Sequence, residues 1–225
     1  MVVFAHADDA EWGCSGTVAK WCAEGWDVVY VVCTDGSKGS ADPDITSKSL
    51  SEIREQEQRN AGSVLGLQDV VFLDYEDSML EPSLELRRDI TRQIRIYKPE
   101  VVICGTPMRR LSYNGYLGHP DHIAAGEAAL SAVFPSARDR LTFPELLDEG
   151  LEPHNVSEVW VMDHHEPDKF VDVSGYMETA IEALKQHETQ VTSDDVGTHM
   201  KQWRSRTGEK VGYQYAEGFR RFHLG

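Results

Sequence analysis

The sequence predicts one α/β domain over residues 1–225, built on a mostly parallel, Rossmann-like sheet flanked by helices. Two observations carry this reading. Short, apolar, β-branched runs alternate with helix-patterned segments, as a parallel sheet covered on both faces requires. The 225 residues suffice for one sizeable α/β domain and are too few for two ordinary domains with a linker.

Taken in order, Val2 to Ala5 reads as a strand already under way, and Gly16 to Glu24 as a helix stopped by Gly25. Val28 to Cys33 is a β-branched strand, and Ile53 to Leu65 a helix ended by Gly66. Val70 to Leu73 is a short strand. Leu84 to Tyr97 is a helix with Pro82 at its start and Pro99 just beyond its end. Val101 to Cys104 returns to strand, and Ile123 to Phe134 is an Ala-rich helix. Beyond Pro135 the pattern weakens. Val156 to Met162 reads as a strand and Tyr176 to His187 as a helix with Ser174 for its N-cap, while Ser193 to Gly225 reads as helical or irregular. No internal repeat or low-complexity segment interrupts the alternation.

Composition narrows the functional class. Apolar residues make up 40% and charged residues 27%, normal for a globular protein. No run approaches the roughly 18 apolar residues of a membrane span, and no signal-peptide pattern opens the chain. Cys14, Cys22, Cys33 and Cys104 form no C-x-x-C pair and read as reduced, buried thiols, so a cytoplasmic location is expected. The net charge of −16, from 38 acidic against 22 basic residues, repels phosphate backbones and anionic lipid. Nucleic acid and membrane surfaces are therefore not expected partners. A strongly anionic substrate would need a local arginine cluster.

Ligands of open parallel sheets bind outside the carboxyl ends of the strands. Directly after the first strand stands Ala5-His6-Ala7-Asp8-Asp9-Ala10-Glu11. Imidazole and carboxylate are normal zinc ligands, and a catalytic zinc takes three protein ligands with one open position. His6 and Asp9, three apart in a turn, can converge on one ion and leave Asp8 to point elsewhere; an Asp-rich N-cap for the helix that follows is the alternative. After Val101 to Cys104, a loop longer than usual leads to Gly118-His119-Pro120-Asp121-His122. Here His122 offers a third ligand, with His119 beside the metal and Asp121 in reach of His119. Helix capping by Asp121, with surface histidines, is the alternative, weakened by two histidines at the same sheet edge as His6 and Asp9.

Together, A-H-A-D-D-A-E and G-H-P-D-H resemble the metal-binding signature of the LmbE/PIG-L superfamily. The similarity runs on through Gly13 to Gly16, Thr34-Asp35-Gly36, Arg54 to Glu57, Ala183-Leu184-x-x-His187 and Tyr215 to Phe219, and so over nearly the whole chain. The resemblance implies an LmbE-like fold and a zinc-dependent de-N-acetylase acting on a small amino-sugar-like substrate, with Fe(II), Co(II) or Mn(II) as other metals for the same site. It also implies a homo-oligomer, trimeric or hexameric. By resemblance His6, Asp9 and His122 are the zinc ligands and Asp8 is the general base. His119 polarises the carbonyl or protonates the leaving amine with support from Asp121, and Arg54 binds substrate. Two positions depart from the pattern: Ala7 replaces the usual Pro, and Asn155 stands where some relatives carry a basic residue near the site.

As chemistry, a zinc-bound water would attack the amide while Asp8 takes its proton and a cationic His119 stabilises the oxyanion and protonates nitrogen. Asp77 is a candidate for sugar hydroxyls, and Tyr116 for gating the pocket or donating to the oxyanion. Arg109-Arg110 pairs with carboxylates elsewhere or meets a substrate anion. Specificity is expected in the loops Ser37 to Ser49, Met108 to Leu117 and Ser136 to Asn155. The rival reaction on this scaffold is hydration of an unsaturated carboxylic acid.

Overall fold

The computed structural model, which describes residues 1–109, 111, 117–162 and 164–225, forms a seven-stranded sheet in the order β3-β2-β1-β4-β5-β7-β6. β1 (Val2–Phe4), β2 (Val29–Thr34), β3 (Asp69–Tyr75), β4 (Val101–Cys104) and β5 (Glu158–Val161) pair in parallel. β7 (Ala216–His223) runs antiparallel between β5 and β6 (Lys169–Asp172). The mostly parallel sheet is therefore the one expected, with an antiparallel strand near one edge.

Successive side chains of a strand face opposite ways, so a doubly covered sheet feeds two cores. Val2 and Phe4 pack with Tyr30 and Val32 in one, and Val3 and Ala5 with Val31 and Cys33 in the other. The first core is closed by α1 (Asp9–Ala23), α2 (Ser47–Leu65), α6 (Met177–Lys185) and α7 (Val196–Glu209). The second is closed by α3 (Leu84–Tyr97) and α4 (Pro120–Ser131), with a short α5 (Glu145–Asp148) beyond them. The four cysteines are free thiols, three of them buried, and among the described residues no helix is long and apolar enough to cross a membrane.

Several helices start earlier than their apolar pattern suggests, because polar caps set the starts. Thr46 and Ser49 form a reciprocal capping box that begins α2 at Ser47. Pro120 occupies the first turn of α4, where its missing N–H is no loss. Ser174 does not cap α6: Tyr176 holds that position, while the Ser174 hydroxyl donates to Asp172 at 2.6 Å. The segment expected to be helical or irregular after Ser193 holds both α7 and the strand β7.

The order 3-2-1-4-5 reverses direction at β1. The chain leaves β1 towards β2 and returns on its other side as β4, which opens a crevice at their carboxyl ends.

Candidate active site

At that crevice a tight turn follows β1. The amide of Asp9 donates to the His6 carbonyl at 3.2 Å, and the His6 amide donates to Asp9 Oδ2 at 2.8 Å. This reciprocal pair folds the His6 ring back over the Asp9 carboxylate. α4 delivers His122 from the other side of the crevice. His6 Nδ1 lies 3.2 Å from His122 Nε2 and 3.5 Å from Asp9 Oδ2, and His122 Nε2 lies 3.0 Å from Asp9 Oδ1. Three ligand-capable side chains thus converge.

The other nitrogen of His6 faces carboxylates. Nε2 is 3.1 Å from Asp121 Oδ2 and 3.2 Å from Asp77 Oδ1. Burial would lower the proton affinity of His6, but the bonds to Asp121, Asp77 and Asp9 outweigh it and raise the pKa to about 12. Asp77 and Asp121 are both depressed despite their burial, chiefly through His6. Asp9, buried between His6 and His122, is held well below the ordinary carboxylate range by both histidines. The carboxylates around His6 thus favour positive charge at that ring.

Asp8 behaves oppositely. It occupies the N-cap position of α1 with φ 98° and makes no side-chain capping bond, so helix capping does not account for it. Burial and the adjacent Asp9 push its carboxyl up to about 7, against a partial opposing pull from Arg54.

His119, not Asp121, caps α4. Its Nδ1 accepts the Asp121 amide at 3.2 Å, while the Asp121 carboxylate stands 3.9 Å from that nitrogen and accepts from Ser78 N at 2.7 Å and Leu80 N at 3.3 Å. The Asp121 carboxylate thus stands between two histidines, closer to His6 Nε2 at 3.1 Å than to His119 Nδ1 at 3.9 Å. Burial and the nearby His6 lower the proton affinity of His119 against a partial opposing pull from Asp121, which disfavours the expected cation, and its Nδ1 serves as an acceptor.

Two residues expected to meet substrate are turned inward. Arg54 is 4% exposed, and its guanidinium donates to Ala7 O at 2.6 Å and Gly36 O at 3.2 Å. Gly36 has φ 62°, and a Cβ there would come within 3.1 Å of that guanidinium. Asp77, also 4% exposed, accepts from Lys38 N at 3.0 Å in addition to facing His6. Tyr116 and Arg110 lie outside the described residues. Arg109 donates to Leu117 O and Gly118 O at the base of its own loop. Asn155 is exposed beside Arg138, in a segment anchored by His154 to Pro99 O and by Ser157 N to Glu100 O. That segment runs at the amino ends of the strands, so the expectation that Asn155 lies near the crevice is corrected.

Gln58 lies just outside the quoted motifs, and Glu11 and Asp35 stand inside them without an assigned role. Gln58 Oε1 accepts the Asp8 amide at 3.2 Å, and its Nε2 donates to Glu11 Oε1 at 3.0 Å. Asp35 accepts from Ser37 N and Asp77 N and so joins the loops after β2 and β3. The available signal for Gln58 was its place one helical turn after Arg54 in a helix whose apolar stripe is thin.

Residues 1–133 match the family described as PIG-L: GlcNAc-PI de-N-acetylase. The diacetylchitobiose deacetylase of Thermococcus kodakarensis is 33% identical over 98% of this chain and 81% of its own length. The solved structure of the N,N'-diacetylchitobiose deacetylase from Pyrococcus horikoshii with its inhibitor MPG superposes with TM-score 0.88 at 32% identity, covering 97% of this chain and 81% of that one. The 4-carboxy-2-hydroxymuconate hydratase GalB from Pseudomonas putida KT2440 shares the fold with TM-score 0.81 at 21% identity, over 100% of this chain and 95% of the other. With more than half of its residues matched by the family and a relative above 30% identity along nearly its full length, the chain belongs to the PIG-L family.

Proposed function

We propose that the chain is a metal-dependent amide hydrolase that removes an acetyl group from the nitrogen of an N-acetylglucosamine-type conjugate. The observation that carries this reading is the convergence of His6 Nδ1, the Asp9 carboxylate and His122 Nε2 at 3.0–3.5 Å, beside a carboxylate, Asp8, that stands outside the set. Ligand atoms about 2.0–2.1 Å from a tetrahedral zinc stand about 3.3 Å apart, so the donor set fits that ion. His6, Asp9 and His122 would hold it, and the same donors also suit Fe(II), Co(II) or Mn(II). Asp121 and Asp77 accept the Nε2 proton of His6 and so direct Nδ1 towards the ion, the support that a metal-bound imidazole commonly has. Zinc, when bound, supplies a water of pKa lowered from 15.7 towards about 7 and a Lewis acid for the amide carbonyl.

The remaining work falls to side chains. Asp8, with a proton affinity near neutrality, accepts the proton of the attacking water and passes it to the departing nitrogen. Help of that kind is worth about 10²–10⁴ in rate. His119, neutral with Nδ1 accepting from Asp121 N, presents the Nε2–H tautomer and donates to the carbonyl oxygen as it gains negative charge. The products are acetate and a free amine.

Two relatives whose names specify diacetylchitobiose support the amino-sugar substrate, and the net charge of −16 favours a neutral one. Hydration of an unsaturated acid has only the shared fold in its favour, at 21% identity. The test is acetate release by metal-replete protein from N,N'-diacetylchitobiose and from the malate and inositol conjugates of N-acetylglucosamine. Acetate from at least one, lost in His6→Ala, is the expected result. No acetate from metal-loaded protein, together with hydration of an unsaturated dicarboxylic acid, would overturn the reading.

A further inference from the structure

The Ala7–Asp8 peptide is gripped on both sides by one helix. Its carbonyl, Ala7 O, accepts from Arg54 Nη2 at 2.6 Å, and its amide, Asp8 N, donates to Gln58 Oε1 at 3.2 Å. Arg54 and Gln58 are four residues apart on α2, hence neighbours on one face, and both are buried, Gln58 completely. Neither side chain is loose. Arg54 also donates to Gly36 O, and Gln58 Nε2 is held by Glu11 Oε1, whose other oxygen lies 3.2 Å from His187 Nε2. Glu11 and His187 are themselves fully buried.

A peptide plane gripped at both its C=O and its N–H cannot rotate, and its rotation is what sets ψ of Ala7 and φ of Asp8. Asp8 sits at φ 98°, a region that side chains other than glycine rarely adopt. Asp8 is the third residue of the hydrogen-bonded His6–Asp9 turn, where φ is positive in a type II turn and negative in a type I turn, and the orientation of the Ala7–Asp8 peptide decides between the two. We propose that Arg54 and Gln58 are positioning residues that hold the Ala7–Asp8 peptide and thereby aim the Asp8 carboxylate, with Glu11 fixing Gln58 from behind. This rests on the reading of Asp8 as the base. It gives Arg54 a role on the protein's own main chain rather than on substrate. It also explains why Arg54 and Gln58 stand on a buried face of α2 that otherwise carries Leu50, Ala61 and Leu65.

The experiment compares Gln58→Met, close in shape but unable to accept from Asp8 N, with Asp8→Asn and with the double variant. In Gln58→Met a crystal structure is expected to show the Ala7–Asp8 peptide turned and Asp8 returned to negative φ. Its turnover of N,N'-diacetylchitobiose is expected to fall in kcat by about 10²-fold, as misplacement of a reacting group by about 1 Å does, with KM and metal content unchanged. In the Asp8→Asn background the same change should cost no further turnover, since Gln58 acts through Asp8. A purely structural role would instead lower melting temperature and leave kcat of the folded enzyme intact. Gln58→Met with φ still near its wild-type value, or with wild-type kcat while Asp8→Asn is inactive, overturns the clamp alone. An active Asp8→Asn overturns the reading of Asp8 itself. Arg54→Met releases the other side of the same peptide and serves if Gln58→Met does not fold. If neither folds, hydrogen exchange in the wild-type protein decides: slow exchange of the Asp8 amide supports the clamp, and exchange at loop rates overturns it.

Discussion

Asp8 and Asp9 are adjacent carboxylates with opposite proton affinities, and their neighbours explain the difference. Asp9 faces His6 and His122, whereas Asp8 faces Asp9 from a half-buried position. As a base Asp8 acts when deprotonated, so kcat/KM should rise with pH through a limb at or below about 7, the bound cation drawing it down from the metal-free value. An acid limb above pH 8 in the pH–rate profile would contradict this. The same shift has a stability consequence of the other sign. The folded pKa lies above the unfolded one, so the contribution of Asp8 is fully present below pH 3.8 and is lost as pH rises through about 7. Metal-free Asp8→Asn should therefore match wild type near pH 4 and exceed it at pH 8, by at most about 4 kcal/mol in denaturant unfolding. His119→Ala, which would remove the proposed oxyanion donor, should lower kcat about 10²–10³-fold with metal content unchanged. At this scale the sequence made the two clusters legible, because His and Asp repeat at short spacing. It did not make their partners legible: His6 and Asp121 are 115 residues apart, and nothing local distinguishes an Asp121 that holds His6 from one that holds His119.

Among the elements, α1 and β7 show how a helix end can be completed from across the fold. α1 is broken at Cys14, where φ is −150° and ψ 15°, so the amides of Gly16 and Thr17 start a second helical run. Glu217 on β7 accepts both, at 3.0 and 2.7 Å, and pairs with Arg204 Nε at 3.2 Å, all buried. Glu217→Ala should cost about 3–5 kcal/mol in chemical denaturation, because it leaves the buried Arg204 charge without its carboxylate and two amides without an acceptor. A loss below 1 kcal/mol would mean water replaces the carboxylate. The same arrangement hid β7 from the sequence: a buried glutamate, a glycine and two arginines within Ala216–His223 break the strand alternation. α4 tells the complementary story. A Cβ at Gly126 would stand 2.5 Å from the Gly105 carbonyl at the end of β4, where no side chain can yield. Gly126→Ala should push α4 outward, carry His122 away from His6 and Asp9, and weaken metal binding by at least tenfold in a competition titration. β1 to β4 and their helices were legible because apolar runs and Gly or Pro stops agreed, whereas the short edge strand β6 offers only four residues of pattern.

Over the whole molecule the net charge of −16 sets a long-range negative field, which attracts a cation to the site and repels an anionic substrate. Turnover of a neutral conjugate should be nearly independent of ionic strength, while an anionic conjugate should gain in kcat/KM as salt rises and screens the repulsion. Metal should also stabilise the folded chain, by about 2.7 kcal/mol at 100 times its dissociation constant. That gain should vanish in His6→Ala. The central claim is that one set of residues holds the metal while a different residue, Asp8, moves the proton. The most direct test measures metal stoichiometry and acetate release from N,N'-diacetylchitobiose on the same preparations of wild type, His6→Ala and Asp8→Asn. Wild type should hold metal and release acetate, His6→Ala should do neither, and Asp8→Asn should hold full metal with acetate release reduced at least about a hundredfold. An Asp8→Asn protein that releases acetate at the wild-type rate, or that has lost its metal, would contradict it.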